Sequence, residues 1–291
     1  MFSSTDWMSL STHCILLHAT RAEALNFLNH GLRMTYDDFG EGFPLLFVHG
    51  HCFDRTMWSS QLQSLRWKYR VVAPDLRGYG ESESDGGQVC TQETFASDLE
   101  RLLDHCRIER ACVVGLSMGG QIAMQLATAL PSRTAGLVLA ATFAEAETPE
   151  GVTERNRVAD RIVAEGIVGF GSEMLPKLMS PASLKRQPLF ASRVFQMICQ
   201  SAPIAAAAAN RGRAMRSDYR SALAKYSGAS MIIVGTQDAY TSVAKAQALQ
   251  ALMKDCRLEI FEGIGHLPNL EDEDRFNRCL HFFLNQIVAR G

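Results

Sequence analysis

Ser117, Asp238 and His266 are residue types that together perform acyl chemistry. A serine hydroxyl is a weak nucleophile until a base takes its proton. Histidine titrates near neutrality, so it can take that proton and pass it to a leaving group. A carboxylate behind the imidazole sets its tautomer and stabilises the imidazolium. Ser117 stands in Gly115-Leu116-Ser117-Met118-Gly119-Gly120, between the Val-rich run Cys112–Val114 and the Ala/Leu-rich segment Gln121–Leu130. That pattern reads as strand, tight turn and helix, with Gly115 and Gly119 as the small neighbours that a strained turn residue needs. The bland alternative is an ordinary Gly-rich turn with a passive serine. Asp238 closes Gly235-Thr236-Gln237-Asp238, against the alternative of a helix-capping aspartate. His266 follows Gly263-Ile264-Gly265, against a surface-loop histidine. A weaker rival acid would follow the Gly136–Ala141 run, where Glu145 and Glu147 stand.

Attack on a carbonyl creates negative charge that needs N–H donors. The N–H of Met118 lies just after Ser117, at a helix N-terminus where the dipole favours an anion. The second donor is expected from the loop after Pro44–Val48, as the N–H of His51 in His49-Gly50-His51-Cys52. His49 reads as a brace for that loop, and Cys52 has no assigned base. The substrate pocket is expected to be lined by His51, Met118, Phe143, Leu267 and residues from the 144–217 stretch.

The surrounding elements must place these groups at one end of a sheet. Continuous apolar runs at Pro44–Val48, Arg70–Pro74, Cys112–Leu116, Gly136–Ala141, Ser230–Gly235 and Leu258–Phe261 read as strands buried on both faces. Gly31–Phe39 alternates weakly, as an edge strand. Helical spacing covers Met57–Tyr69, Thr94–Cys106, Val243–Met253 and Arg275–Ala289. Strand–helix alternation predicts an α/β, mainly parallel, doubly wound sheet. The rhythm breaks after Phe143. Residues 144–217 hold no Val/Ile-rich strand and read as helices over Thr153–Glu165, Met174–Met179, Leu189–Gln200 and Pro203–Arg216. An inserted helical cap that excludes water is the expectation, against extra scaffold helices. The resulting division is an N-terminal extension (1–30), an α/β core (31–143 and 218–291) and the cap (144–217). Residues 21–32 read as an amphipathic helix or a poorly ordered extension, or as an artefact of start-site choice.

The 291 residues are 47% hydrophobic and 21% charged, enough for one large α/β domain with a sizeable core. A formal net charge of -2 argues against nucleic acid and anionic membrane surfaces as partners. The 8 cysteines are scattered without a C-x-x-C pair, which suits a reduced, cytoplasmic protein and no metal site. The apolar patch Cys14–Leu17 lacks a basic flank and is too short for a signal peptide or anchor. No cofactor is expected; the partner is a small-molecule substrate. The extension is available to cover a sheet edge or to support a homo-oligomer. The cap carries Arg155, Arg157, Arg161, Arg211, Arg213 and Arg216, read mostly as solvated helix faces, with one as an option for a substrate carboxylate.

As a set, the His49-Gly50 loop, Pro74–Ser82, Gly115–Gly120, Gly235–Asp238 and Gly265–Glu271 resemble the α/β-hydrolase superfamily, over roughly residues 31–290. The likeness is to cap-bearing serine esterases and 3-oxoadipate enol-lactone hydrolase-like proteins. It implies the α/β-hydrolase fold, a Ser117–Asp238–His266 triad and oxyanion amides at His51 and Met118. It also implies that Asp75 and Arg77 organise a loop without reacting. Two departures stand out: His51 occupies a position that is usually apolar or aromatic, and residues 1–30 have no counterpart. A serine at the turn points to acyl chemistry and away from relatives with an aspartate nucleophile. Cleavage of a carboxylic ester or lactone is the leading expectation. The same triad could serve C–C hydrolysis, acyl transfer or perhydrolysis. The scaffold could also act as a slow-turnover or non-catalytic receptor, or as a cyclase using only the cavity.

Overall fold

Alternating residues of the apolar runs face opposite sides of a single sheet, and both sides are covered. The computed structural model describes residues 24–290. Its strands are β1 (Leu25–Asn29), β2 (Leu32–Phe39), β3 (Pro44–Val48), β4 (Arg70–Pro74), β5 (Ala111–Leu116), β6 (Thr134–Ala140), β7 (Ala229–Gly235) and β8 (Cys256–Phe261). They lie in the order β1-β2-β4-β3-β5-β6-β7-β8. β1 and β2 are antiparallel to each other, β2 is antiparallel to β4, and the remaining pairs are parallel.

The helices of the α/β part are α1 (Ser59–Leu65), α2 (Gln92–His105) and α3 (Met118–Ala129). Between β6 and β7 come α4 (Pro149–Glu165), α5 (Val168–Leu178), α6 (Pro181–Arg186), α7 (Pro188–Gln200), α8 (Pro203–Ala214) and α9 (Arg220–Leu223). α10 (Val243–Leu252), α11 (Pro268–Glu271) and α12 (Glu273–Arg290) complete the chain. Leu45, Phe47, Val114 and Ile233 pack with α1, α12 and much of the inserted helices. Leu46, Val48, Val113 and Ile232 pack with α2, α3 and α10. This two-sided burial is why these strands read as unbroken apolar runs.

Several expectations are corrected. The amphipathic helix over 21–32 is not formed in its described part, where Leu25–Asn29 is a strand. Phe27 and Asn29 face inward at a period of two, and the Phe27 ring packs on Tyr36 and His105. β1 takes the sheet edge, so β2 is an interior strand and not the expected edge. The Met57–Tyr69 helix is a short 3-10 turn (Arg55–Trp58) followed by α1, which stops at Leu65. Between β6 and β7 the structure has a further helix outside the four expected ones: α6 begins at Pro181, and Ser180 caps it by accepting the Ser183 N–H.

The topology sets the site. β3 and β5 are adjacent, with Val48 opposite Gly115, while their crossovers leave in opposite directions. The loops after these two strands therefore flank one crevice at the C-terminal edge of the sheet, where open α/β sheets bind ligands. A side chain on Gly119 would collide with the carbonyl oxygens of Val48 and His49, so α3 sits directly against the end of β3. Gly119→Ala is expected to cost about 1–3 kcal/mol, because backbone cannot give way as a side chain can. Urea denaturation against the wild type checks this; an unchanged midpoint would count against the close approach.

Candidate active site

Ser117 is held in a conformation that few non-glycine residues adopt, with φ 55° and ψ -113°. Such geometry costs about 1–3 kcal/mol and persists only where the surroundings impose it. Its N–H donates to Ala140 O at 2.9 Å, tying the turn to the end of β6. Its carbonyl accepts from Thr142 Oγ1 at 2.9 Å and from Gln121 N at 3.1 Å. A side chain on Gly115 would strike the carbonyl of Gly119. Both glycines are thus required for room, whereas the left-handed backbone belongs to Ser117 itself. The Ser117 residue is partly exposed, and Met118 behind it is fully buried at the first position of α3.

β7 and β8 are neighbours, with Gly235 opposite Phe261, so the loops that follow them converge. His266 Nδ1 lies 2.9 Å from both carboxylate oxygens of Asp238. Asp238 Oδ1 also accepts the N–H groups of Tyr240 (2.8 Å) and Thr241 (3.0 Å). With Nδ1–H committed to Asp238, Nε2 of His266 is the nitrogen left to accept a proton. No hydrogen bond joins Ser117 to His266 among the described residues. The rival acid Glu147 is engaged elsewhere. It takes the guanidiniums of Arg155 and Arg216, and their bonds hold its carboxyl down at about 2 against the effect of burial.

The loop after β3 is braced by His49. Nε2 of His49 accepts the Leu76 N–H at 2.9 Å, which leaves Nδ1–H to donate to Gly50 O at 2.8 Å. Both ring nitrogens serve the backbone of the neutral ring, and burial pushes His49 down to about 4. His51 Nδ1 bonds Tyr79 Oη at 2.8 Å, and the ring meets Phe170 of α5 edge-on at 6.1 Å. Cys52 is buried, and burial pushes its thiol up to about 12, unsuited to nucleophilic work. Leu267 is fully buried beside His266. Phe143 lies between Arg216 and Lys245, whose cations sit 4.8 Å and 4.4 Å from its ring centre. Asp75 pairs with Arg55 and Arg77 pairs with Asp98, both in the connection that follows β4. Among the described residues no cluster of three or more His, Cys, Asp or Glu is placed to hold a metal ion.

Glu271 is the positioning residue that chemistry-by-type overlooked. Its Oε1 accepts Gly265 N–H (3.0 Å) and Leu267 N–H (3.2 Å), on either side of His266. Its Oε2 accepts Ser180 N–H at 2.9 Å, from the start of α6. His266 N–H in turn donates to Leu178 O, at the end of α5, at 2.9 Å. The histidine loop is therefore fastened to the inserted helices by backbone bonds. Its only sequence signal is a glutamate five residues after His266 in a Pro-containing stretch.

Comparison with known proteins identifies the family. A family model described as the alpha/beta hydrolase family matches residues 45–278, and the chain belongs to that family. It is a hydrolase by that membership and by its relatives. It is 28% identical over 235 residues to 3-oxoadipate enol-lactonase 1 of Acinetobacter baylyi, covering 80% of this chain and 85% of that protein. Its fold is similar to a thermophilic esterase from Thermogutta terrifontis solved with malate bound. There the TM-score is 0.88 at 33% identity, over 91% of this chain and 99% of the other. The enol-lactonase from Burkholderia xenovorans LB400 shares the fold at a TM-score of 0.84 and 24% identity, over 90% of this chain and 100% of that one. Among the described residues no helix is long and apolar enough to cross a membrane.

Two predictions follow from the bracing groups. Glu271→Ala leaves three buried N–H donors without an acceptor and is expected to cost about 3 kcal/mol or more. Glu271→Gln keeps an acceptor oxygen and should lose less; equal losses in chemical denaturation would argue against the tether. His49 gives a pH signature. Its folded value of about 4 lies below the unfolded 6.5, so its full contribution to stability is present above pH 6.5. As pH falls toward 4 the unfolded chain takes a proton that the folded ring refuses, which costs about 3 kcal/mol. His49→Gln should flatten the stability–pH curve across that window. The difference between the two proteins separates His49 from Asp75, which burial pushes up to about 6 and whose slope has the opposite sign.

Proposed function

We propose that the chain is a serine hydrolase that cleaves a carboxylic ester or lactone through an acyl-enzyme. The observation that carries this reading is the bonded His266–Asp238 pair at the same sheet edge as a serine in strained, left-handed backbone geometry. The relatives supply the reaction class: an esterase at 33% identity and an enol-lactonase at 28%.

In this mechanism Ser117 Oγ attacks the substrate carbonyl while His266 Nε2 takes the hydroxyl proton. Asp238 keeps Nδ1 protonated and stabilises the imidazolium. The carbonyl oxygen, now negative, is held by the N–H groups of His51 and Met118. Collapse breaks the C–O bond, and the leaving alkoxide takes the proton from His266. For a lactone the alcohol stays on the acyl chain. Water then gives its proton to His266 and its oxygen to the acyl carbon, and the acid leaves as Ser117 is regenerated. The helices between β6 and β7 act as a cap over this chemistry; Phe170 against His51, and Tyr240 Oη at 3.2 Å from Met174 Sδ, support that role.

A fluorophosphonate probe is expected to label Ser117, with labelling lost in Ser117→Ala and His266→Ala. Short-chain p-nitrophenyl esters should give an acyl-enzyme burst that vanishes with Ser117→Ala. Asp238→Asn should lower kcat by about 10⁴-fold, because the imidazole then rests in the wrong tautomer. Near-normal turnover in that variant would remove Asp238 from the mechanism.

A further inference from the structure

Two buried polar atoms beside the proposed oxyanion loop have no partner among the described residues: Nε2 of His51 and Nε of Arg213. Buried polar groups are nearly always paired, so each needs a reason. His51 Nδ1 shares a hydrogen bond with Tyr79 Oη at 2.8 Å. Where the Tyr79 phenol is the donor of that bond, His51 carries its proton on Nε2, as a donor facing no acceptor among the described residues. Arg213 is donor-only by chemistry, and no side-chain hydrogen bond or ion pair is formed by its guanidinium among the described residues.

Charge points the same way. Arg213 lies near the end of α8 and is flanked by Arg155 of α4 and by Arg216. Arg155 is fastened by Glu147 and Asn210, and Arg216 by Glu147 and the carbonyls of Glu145 and Arg213. Three guanidiniums thus stand together with one carboxylate, which bonds Arg155 and Arg216 and leaves Arg213 without a counter-ion among the described residues. Burial and its two neighbours push Arg213 down, yet a guanidinium stays protonated in proteins. Its field reaches His51, Tyr79 and Tyr240, so the excess faces the site. A water could accept from one donor, but it would leave the charge unbalanced.

We propose that the guanidinium of Arg213 and the Nε2–H of His51 hold a free carboxylate on the substrate, so that the ester or lactone cleaved here is an anionic one. This rests on the ester- or lactone-cleaving reading of the same site. It gives His51 a side-chain role in specificity that is separate from its backbone N–H. Arg155 and Arg216, already bonded to Glu147, position Arg213 and prevent it from turning back to that carboxylate. A fork of N–H groups suits a carboxylate bidentately, which an ammonium at the same place would not reproduce.

The test compares kcat/KM for monomethyl succinate, glutarate and adipate with that for the uncharged methyl esters of matched chain length. The wild type should prefer one of the half-esters. That preference should fall about 10- to 100-fold in Arg213→Met, fall in His51→Phe, and survive in part in Arg213→Lys. A wild type that prefers the uncharged esters, or a preference unmoved by Arg213→Met, overturns the proposal. A merely structural arginine predicts a lower thermal midpoint in Arg213→Met with the preference unchanged. If the wild type cleaves none of these esters, the ester-cleaving reading fails separately, and calorimetry with the free dicarboxylates decides the anion site. Binding that is lost in Arg213→Met supports it, and no binding to the wild type overturns it.

Discussion

The site depends on one steric constraint: α3 begins where there is no room for a side chain between it and β3. At Gly119 the helix lies against the carbonyls that end β3, and at Gly115 the strand lies against the first turn of the helix. The chain can pass between these two contacts only if the residue at the turn takes positive φ. That residue is Ser117, locked by bonds to Ala140 and Thr142. The same closeness brings the N-terminus of α3 beside the loop after β3. A serine, a helix N-terminus and the His51 loop are thus neighbours for a reason of packing that precedes any reason of chemistry.

The second half of the site is held differently. Asp238 is fixed by the N–H groups of its own turn, at Tyr240 and Thr241. His266 is fixed by a buried glutamate and by the inserted helices. Among the described residues Glu271 has no cation partner; its carboxylate is met by three backbone N–H groups. Charge-assisted bonds of this kind are strong and directional. Because one of those donors belongs to Ser180, the inserted helices and the histidine loop form one bonded unit. A change in the packing of α5 and α6 would be felt at His266 through the Leu178 carbonyl and Glu271.

Buried charge is distributed unevenly. Around β4 each guanidinium is met by carboxylates: Arg55 by Asp75, Asp37 and Glu81, and Arg77 by Asp98 and Asp85. These pairs pin the connection that carries Tyr79, the partner of His51. Beside α4 and α8 the ratio is reversed, with Glu147 set against Arg155, Arg213 and Arg216. Exposed pairs such as Arg157–Glu154 and Arg161–Glu173 match the solvated helix faces expected for the cap. Arg155, Arg213 and Arg216 do not, because helical spacing shows that residues share a face but not whether that face meets water or an interior cavity.

Local signals were enough for the class of fold and for the types and chain order of the candidate site residues. Two-sided burial writes itself as unbroken apolar runs, and a strand–turn–helix junction without space writes itself as glycines around a serine. Those are properties of adjacent residues, and they carry through to the structure at β3 to β8 and at Ser117. Tertiary packing decided the rest. Leu25–Asn29 became a strand because a sheet edge was open to it, which its own spacing does not state. Glu271 serves His266 through backbone bonds that no motif of reactive types contains. The choice of Asp238 as the partner of His266 over Glu147 came from adjacency of β7 and β8 and from two arginines far away in the chain. That His51 Nε2 and Arg213 Nε lack a partner among the described residues is likewise a fact of assembly: whether a polar group finds a partner depends on what folds against it.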